Sequence, residues 1–275
     1  MASEFTVKRV DPSFAGGAPQ FTEDPDYNGA GYLYYNTTER KLRVNIGNRW
    51  KGLKEQSTYF TNGLIANVDW SANGNGNETV GNYGTTGLGG GGTLQSTPFQ
   101  YQEFASGEGF VINGDTLASD YVTVEVFYKP SPGAAGSGQP IIFNKENCWE
   151  MARSGGTSPT TVRWAVYANN QSWFWDDAGF TVNDNQWYQI VLVYDGSTVR
   201  TYRNGLLTDN YAYPPGGVLA NQTSCYAKLA GRTCDTTTVS APCPGGYAYF
   251  RVYNIALGQA QITQNWQYCK NRYGV

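Results

Sequence analysis

The chain lacks histidine altogether and has few charged residues. Without histidine it cannot form Ser-His or Cys-His nucleophile systems, or metal sites with histidine ligands. Charged residues make up 15% of the chain and the formal net charge is -3, so there is no basic footprint of the kind that nucleic-acid-binding proteins carry. We therefore expect neither DNA nor RNA as a partner.

Long hydrophobic runs are also missing. The most apolar stretch, around Ile190–Val193, is far shorter than the roughly 20 residues that a membrane-spanning helix requires. We expect no transmembrane helix and no membrane partner. The first residues, Met1–Phe5, include an acidic residue and no apolar segment, so they do not form a secretory leader. Either the protein is used without secretion or a leader has been removed.

The five cysteines include no Cys-x-x-Cys pair, which argues against a zinc or redox site. Their odd number leaves at least one thiol unpaired in a monomer. Cys225, Cys234 and Cys243 are evenly spaced in a segment rich in glycine, threonine and proline, so one local disulfide is an alternative there. We expect instead that these thiols are reduced and partly buried.

Aromatic residues and glycine are abundant: 21 Tyr, 12 Phe, 8 Trp and 34 Gly against 2 Met, a composition typical of strands and turns. Residues 121–128 and 187–194 have strand patterns, and the second segment is apolar on both faces, as a central strand would be. Residues 169–171 and 204–205 are turn formers between strand-like runs, so each predicts a hairpin. Residues 71–92 are too rich in glycine for a regular element and predict a long surface loop. Regularly spaced strands favour a β-sandwich or jelly roll.

The two ends of the chain differ from this pattern. Residues 1–20, rich in proline and glycine, predict an extended arm. Residues 31–50 contain two strand-like runs around a polar turn and predict a β-hairpin. Because an isolated hairpin is marginally stable, it should pack on the main domain, on a copy of itself or on another protein. Near the C-terminus, Ile262, Trp266 and Cys269 fall on one stripe of a short helix, which should cap the sandwich.

Five segments each resemble a motif of the same protein family: Gly63–Asp69, Val122–Pro130, Trp187–Gly196, Tyr202–Leu206 and Phe250–Leu257. In this order they resemble the motifs of laminin-G-like domains in the concanavalin A-like lectin/glucanase superfamily. The resemblance covers about residues 59–275. It implies an all-β fold, an antiparallel two-sheet jelly-roll sandwich.

Two further segments resemble proteins of tailed bacteriophages. Gln264–Val275 is similar to the C-terminus of phage-encoded laminin-G-like proteins, and Gly31–Trp50 is similar to a module of phage fibres and decoration-type proteins. The resemblance implies a non-enzymatic virion protein, either a capsid decoration protein or a tail fibre component. Residues 1–58, the arm and hairpin, would anchor it to other virion proteins such as major capsid or tail proteins, and residues 59–275 would face outward.

Such a protein could act as a homo-oligomer, and any contact with a cell-surface glycan would be weak and multiplied by copy number. Two alternatives remain open. One is a free carbohydrate-binding lectin of secreted type, and the other is a sandwich glycosidase.

The run Trp173–Asp177 is the candidate carbohydrate-binding site. If this segment is a strand, Trp173 and Trp175 point to one side and Phe174 to the other. The two indoles would stack on sugar rings, and Asp176 and Asp177 would accept hydrogen bonds from hydroxyls. The ordinary interpretation is that the tryptophans fill the core, as we expect for Trp164 and Trp187.

Catalysis and metal binding find less support. A glycosidase needs two carboxylates that flank the scissile bond, and the usual Glu-x-Asp-x-x-Glu strand motif of this superfamily is absent. Some laminin-G-like domains hold Ca²⁺ at the sandwich rim. The oxygens of Asp176, Asp177, Asp184 and Asn185 suit Ca²⁺, but their spacing matches no compact calcium loop. We expect solvated turn carboxylates here, and no cofactor.

Overall fold

The computed structural model divides the chain into two compact units, Met1–Gln56 and Ser57–Val275. In the first unit it describes the backbone of short strands. In the second it describes residues 58–70, 79–114, 117, 119–133, 138–168, 172–213, 217–220, 224–232 and 234–275.

The described part of the first unit is a small sheet in the order β1-β2-β3-β4. Its strands are β1 (Gln20–Phe21), β2 (Leu33–Asn36), β3 (Lys41–Asn45) and β4 (Trp50–Gly52). Strands β2 and β3 pair antiparallel and form the predicted hairpin, but β1 pairs parallel with β2 and β4 antiparallel with β3. The hairpin is therefore the centre of a larger sheet than expected. Residues 1–19 of the predicted arm lie outside the described residues.

The second unit is almost entirely β-structure. Its strands are β5 (Leu64–Asp69), β6 (Gly84–Leu88), β7 (Thr93–Gln95), β8 (Tyr101–Phe104), β9 (Gly109–Asn113), β10 (Val122–Pro130), β11 (Ile141–Lys145), β12 (Trp149–Arg153), β13 (Thr160–Val166), β14 (Phe174–Val182), β15 (Tyr188–Tyr194), β16 (Thr198–Arg203), β17 (Leu206–Ala212), β18 (Ala227–Leu229) and β19 (Gly245–Tyr253). One sheet has eight strands, β17-β16-β15-β10-β19-β8-β7 with β5 also paired to β19, and the other has seven, β14-β13-β12-β11-β18-β9-β6. The predicted antiparallel two-sheet sandwich is confirmed.

The hydrophobic core lies between the sheets and takes alternate residues from their strands. In β10, Val124 and Val126 belong to the core, and Glu125 faces away from it. Trp149 of β12 and Trp164 of β13 are fully buried in the same core, which confirms the position predicted for Trp164. Burial of each such side chain contributes roughly 1.5–3 kcal/mol to folding.

The strands of both predicted hairpins pair as expected, although the first turn, residues 169–171, lies outside the described residues. Strand β13 pairs with β14, with Val166 opposite Phe174, and β16 pairs with β17. Asn204 and Gly205 join the second pair with φ angles of 53° and 78°. Two consecutive left-handed residues form the tight turn that matches strand twist, which explains the Asn-Gly sequence.

Helix α1 (Gln259–Tyr273) lies on the outer face of the eight-stranded sheet. It begins where the backbone nitrogen of Gly258 donates to Oε1 of Gln261 (2.7 Å), and it ends at Gly274 in the left-handed conformation. Ile262 and Cys269 of the predicted stripe are buried. Among the described residues, no helix has the length and apolar character needed to cross a membrane.

A buried polar network joins this helix to the sheet. Oε1 of Glu125 accepts hydrogen bonds from the hydroxyl of Tyr249 (2.6 Å) and Nε2 of Gln189 (2.8 Å), and Oε2 accepts from Nδ2 of Asn265 on α1 (2.6 Å). The guanidinium of Arg251 lies 3.8 Å from Glu125. Both oxygens of this buried carboxyl group are therefore paired, as stable burial requires.

Three expectations about the fold are wrong in whole or in part, and the first concerns the loop predicted at residues 71–92, of which 71–78 lie outside the described residues. Residues 84–88 form β6, which pairs with β9. Thr85 and Thr86 supply β-branched side chains that suit a strand, and the four consecutive glycines 89–92 all have positive φ and form the turn after it. The glycine-rich composition therefore indicated the turn and hid the strand.

The second correction concerns Trp187, which is partly exposed and lies outside the core between the sheets. It immediately precedes β15, and the next residue, Tyr188, takes the inward position. The Trp187 ring instead packs on Phe99 (4.9 Å) and Phe127 (5.0 Å) beside α1. Alternation along the strand explains why the neighbouring tyrosine is the core residue.

The third correction concerns the cysteines. Cys225 and Cys234 form a disulfide, whereas Cys148, Cys243 and Cys269 are buried free thiols. The disulfide spans β18, so it links the residues on either side of one short strand. The expected reduced state therefore holds for Cys243 but not for Cys225 and Cys234.

Candidate functional site

The outer face of the seven-stranded sheet carries the tryptophans singled out in the sequence. Trp173 and Trp175 are both partly exposed, so the core interpretation is wrong for them. Phe174 points the other way and packs against the core, where its ring stacks on Tyr211 (5.1 Å) and lies 5.8 Å from Trp164. The strand alternation predicted from the sequence thus places the two indoles outside and the phenylalanine inside.

The two indoles meet edge to face and form what we call the tryptophan corner. Their ring centroids are 6.1 Å apart and their planes are inclined by 82°. Tyr167 lies 6.4 Å from Trp173 on one side, and the guanidinium of Arg163 lies 5.7 Å from the Trp175 ring on the other. An L-shaped pair of this kind offers one indole face for stacking and a second indole as a side wall.

The two aspartates do not act as a pair. In the register of β13 and β14, Asp177 lies opposite Arg163 on the outer face, whereas Asp176 lies opposite the inward-facing Trp164. Oδ1 of Asp176 accepts from the backbone nitrogen of Asp177, and Oδ1 of Asp177 accepts from that of Gly179, both at 2.8 Å. Only Asp177 therefore shares a face with Trp175.

The proposed calcium ligands are used differently. Asp184 pairs with Arg153 through an Oδ1 to NH2 distance of 3.0 Å. In the part of the chain that the structure describes, no three side chains of His, Cys, Asp or Glu lie close enough together to hold a metal ion. The described residues thus offer no carboxylate cluster to hold Ca²⁺.

A second group of polar residues on the same face was missed by the sequence reading. Glu150 and Asn144 are both fully buried, although they face away from the core, and Nδ2 of Asn144 donates to Oε2 of Glu150 (2.5 Å). Arg232 binds Glu146 through Nε (3.1 Å) and NH2, and its Nε is 3.6 Å from Glu150. The alternation of residues along β12 predicts that Glu150 faces away from the core. Its contact with Arg232 could not be predicted, because Arg232 lies far away in the sequence.

The environment of Glu150 favours its neutral form. Burial raises the pKa of its carboxyl group to about 8, an effect that Arg232 opposes and the negative charge of Glu146 reinforces. Burial likewise raises the pKa of the Cys148 thiol, so this cysteine is not an activated nucleophile.

Comparison with known families and structures agrees with this fold. Residues 104–263, more than half of the chain, match a family model described as concanavalin A-like lectin/glucanases superfamily (Laminin_G_3). No curated protein matches the sequence.

Solved structures with the same fold include domain 4 of AbnA, a GH43 extracellular arabinanase from Geobacillus stearothermophilus, in complex with arabinotriose. The TM-score is 0.55 and the identity 20%, over 74% of this chain and 98% of that one. The binding domain of Paraclostridial Mosquitocidal Protein 1 has a TM-score of 0.59 and 10% identity over 77% of this chain. Botulinum neurotoxin type C has a TM-score of 0.57 and 11% identity over 76%. The chain covers only 53% and 52% of these two structures.

Proposed function

Because the chain belongs to the concanavalin A-like lectin/glucanase superfamily, we propose that its second unit is a non-catalytic recognition domain that binds carbohydrate at the tryptophan corner. The observation that carries this proposal is the partial exposure of Trp173 and Trp175 on the side of this segment that faces away from the core, against which the partly buried Phe174 packs. Large aromatic rings left outside a core are typical of recognition surfaces. Arg163 and Asp177 flank the corner with polar groups that suit sugar hydroxyls.

Two of the similar structures support a carbohydrate ligand. The arabinanase domain was solved with arabinotriose, and botulinum neurotoxin type C is described as entering cells through interaction with two ganglioside molecules. Both ligands contain sugars, although the low identities mean that this chain need not share their sugar specificity.

The arrangement of carboxylates supports binding rather than hydrolysis. Hydrolysis of a glycosidic bond needs two carboxyl groups that both reach the bond. Glu146 is the acidic residue nearest to Glu150 in this cluster, and Arg232 engages both of its oxygens. A single carboxyl group, Glu150, is then left without a catalytic partner.

We further propose that the protein is a structural component of a tailed-phage virion, with residues 1–58 attached to capsid or tail proteins and the sandwich exposed to host glycans. The sequence resemblance of Gly31–Trp50 and Gln264–Val275 to phage proteins motivates this. The separation of Met1–Gln56 as a compact unit gives the attachment module a structural counterpart. Weak sugar contacts would then be multiplied by copy number.

A secreted lectin is the second candidate, and the Cys225–Cys234 disulfide favours it. Disulfides persist mainly in oxidising, extracellular settings. The three buried free thiols are less typical of such a protein. Mass spectrometry of purified particles separates the two candidates: a symmetry-related copy number supports the virion, and absence from particles with export into the medium supports the lectin.

The carbohydrate proposal is tested on a glycan array that carries neutral and sialylated oligosaccharides. We expect the wild-type protein to bind, Trp175→Ala to lose binding, and Trp187→Ala, a control at a partly exposed tryptophan elsewhere, to keep it. No release of reducing sugar should accompany binding. Equal loss in both variants, or hydrolysis of the glycans, would contradict the proposal.

The attachment proposal is tested by deletion of residues 1–55. Circular dichroism should show that the remaining sandwich folds, and a particle-binding assay should show that it no longer joins the virion. Retained attachment would place the anchor in the sandwich.

A further inference from the structure

A row of residues runs across the outer face of the seven-stranded sheet from the tryptophan corner towards its centre. Successive cross-strand partners are Trp175, Ala165, Glu150, Asn144 and Lys228. Neighbouring strands lie about 4.8 Å apart, so Glu150 is about 10 Å from Trp175 across the small side chain of Ala165. The corner and the buried polar pair therefore lie on the same face of one sheet, with the completely buried Ala165 between them.

Two atoms of this row are buried acceptors without a partner. Oε1 of Glu150 and Oδ1 of Asn144 make no hydrogen bond with any described residue, although both side chains are completely buried. Buried polar atoms are normally paired, because each unpaired one costs free energy. Of eight such atoms among the described residues, these two lie on adjacent strands and are joined through the Asn144 amide, so one hydrogen-bonding ligand could pair with both.

The side chain of Arg232 approaches this pair at Oε2 of Glu150. A third of it is exposed, and it reaches Glu146 with two nitrogens while its Nε approaches Glu150 at 3.6 Å. Because Glu146 alone holds both nitrogens, Arg232 can leave Glu150 without losing its main ion pair. Arg232 lies in the segment that the Cys225–Cys234 disulfide closes.

We propose that Asn144 and Glu150 form a subsite for a hydroxyl-rich, neutral sugar residue, which displaces Arg232 while the adjoining residue of the same oligosaccharide stacks on Trp175. This inference rests on the proposed carbohydrate recognition. A sugar hydroxyl both donates and accepts, so it can pair with Oδ1 of Asn144 and with Glu150 in either protonation state. A sugar carboxylate only accepts and would leave Oδ1 of Asn144 unpaired.

The raised pKa of Glu150 agrees with a neutral ligand. Burial raises the pKa of this carboxyl group to about 8, which favours its neutral form. The charged groups around this pair are Arg232 and Glu146, which bind each other, and Lys228, which lies opposite Asn144 and donates to the carbonyl oxygen of Thr238 (3.4 Å).

The experiment measures the Kd of neutral trisaccharides of arabinose, mannose and glucose, and of sialyllactose, by isothermal titration calorimetry. We expect wild type to bind at least one neutral trisaccharide at least tenfold more tightly than sialyllactose. Glu150→Met should weaken that binding at least tenfold without lowering the melting temperature, because methionine fills the space but cannot hydrogen-bond. Glu150→Gln, which imitates the protonated carboxyl, should stay within threefold of wild type. The matched control is Glu103→Met on the other sheet.

The outcomes separate this inference from the proposed function. If Trp175→Ala abolishes binding while both Glu150→Met and Asn144→Leu bind like wild type, the subsite is wrong and the carbohydrate function stands. If Glu150→Met lowers the melting temperature but not the affinity, a buried water satisfies the two acceptors, and the subsite is again wrong. If wild type binds none of the neutral trisaccharides, the subsite is overturned, and binding of sialyllactose alone would leave the proposed function standing.

Discussion

The two outer faces of the sandwich each bury a glutamate, but they treat it differently. On the eight-stranded sheet, α1 covers Glu125, and three hydrogen bonds and a guanidinium satisfy both carboxyl oxygens. On the seven-stranded sheet, Glu150 receives one hydrogen bond at Oε2, and Oε1 has no partner among the described residues. The Glu125 carboxyl group is therefore fully paired and that of Glu150 half-paired, although Oε1 of Gln189 and two nitrogens of Arg251 beside Glu125 also have no hydrogen-bond partner among the described residues.

The largest effect should come from the same substitution on the two faces. Glu125→Met should destabilise the fold by about 3–5 kcal/mol, because it leaves Arg251 as an uncompensated buried charge. Glu150→Met should change stability by less than about 1 kcal/mol, since Arg232 keeps Glu146 and Nδ2 of Asn144 keeps an acceptor in Oε2 of Glu146 (3.5 Å). Urea denaturation of both variants checks this. Equal losses would erase the distinction between the faces.

A smaller contrast concerns the tryptophans inside and outside the core. Trp164→Ala should cost about 3–5 kcal/mol, as truncation of a fully buried aromatic does. Trp187→Ala should cost about 1–3 kcal/mol, because that ring packs on other aromatics but keeps part of its surface in water. Denaturant midpoints show which variant loses more stability. A larger loss for Trp187→Ala would show that the aromatic residues around Trp187 stabilise the fold more than the core between the sheets does.

Local chemistry explains which of these features the sequence could predict. Asn204-Gly205 specified its turn through residues adjacent in the chain, and the Trp173–Trp175 run specified its alternation, so both were predictable. The partner of Glu146, Arg232, lies far away in sequence and arrives only through the register of β11, β12 and β18. The glycine-rich composition of residues 71–92 predicted a loop, but residues 84–88 form a strand because they pair with β9.

The raised pKa of Glu150 should make the free energy of unfolding depend on pH. Since the pKa of Glu150 is raised from about 4.5 to about 8, the folded state binds more protons than the unfolded state between these values. The stability that the raised pKa of Glu150 contributes, about 1–4 kcal/mol, is fully present below about pH 4.5 and is lost as pH rises through 8. Glu150→Gln should remove this fall, whereas Glu103→Gln should keep it, in unfolding experiments from pH 4 to 9. A wild-type curve that coincides with that of Glu150→Gln would show that Glu150 ionises normally.

The smallest expected change in stability is at the tryptophan corner. Trp173→Ala and Trp175→Ala should each shift the free energy of unfolding by less than about 1 kcal/mol, because both rings are partly exposed and lie outside the core. Thermal unfolding of the two variants provides the measurement. A loss of several kcal/mol in either variant would show that its ring is a core element.

Fluorine NMR of the protein labelled with fluorotryptophan tests the proposal that carbohydrate binds on the outer face of the seven-stranded sheet. The chain has eight tryptophans, which single substitutions can assign. On addition of an oligosaccharide selected on the glycan array, we expect the signals of Trp173 and Trp175 to move while those of Trp187 and Trp164 stay. Movement of the Trp187 signal alone would place the binding site on the opposite sheet and contradict the proposal.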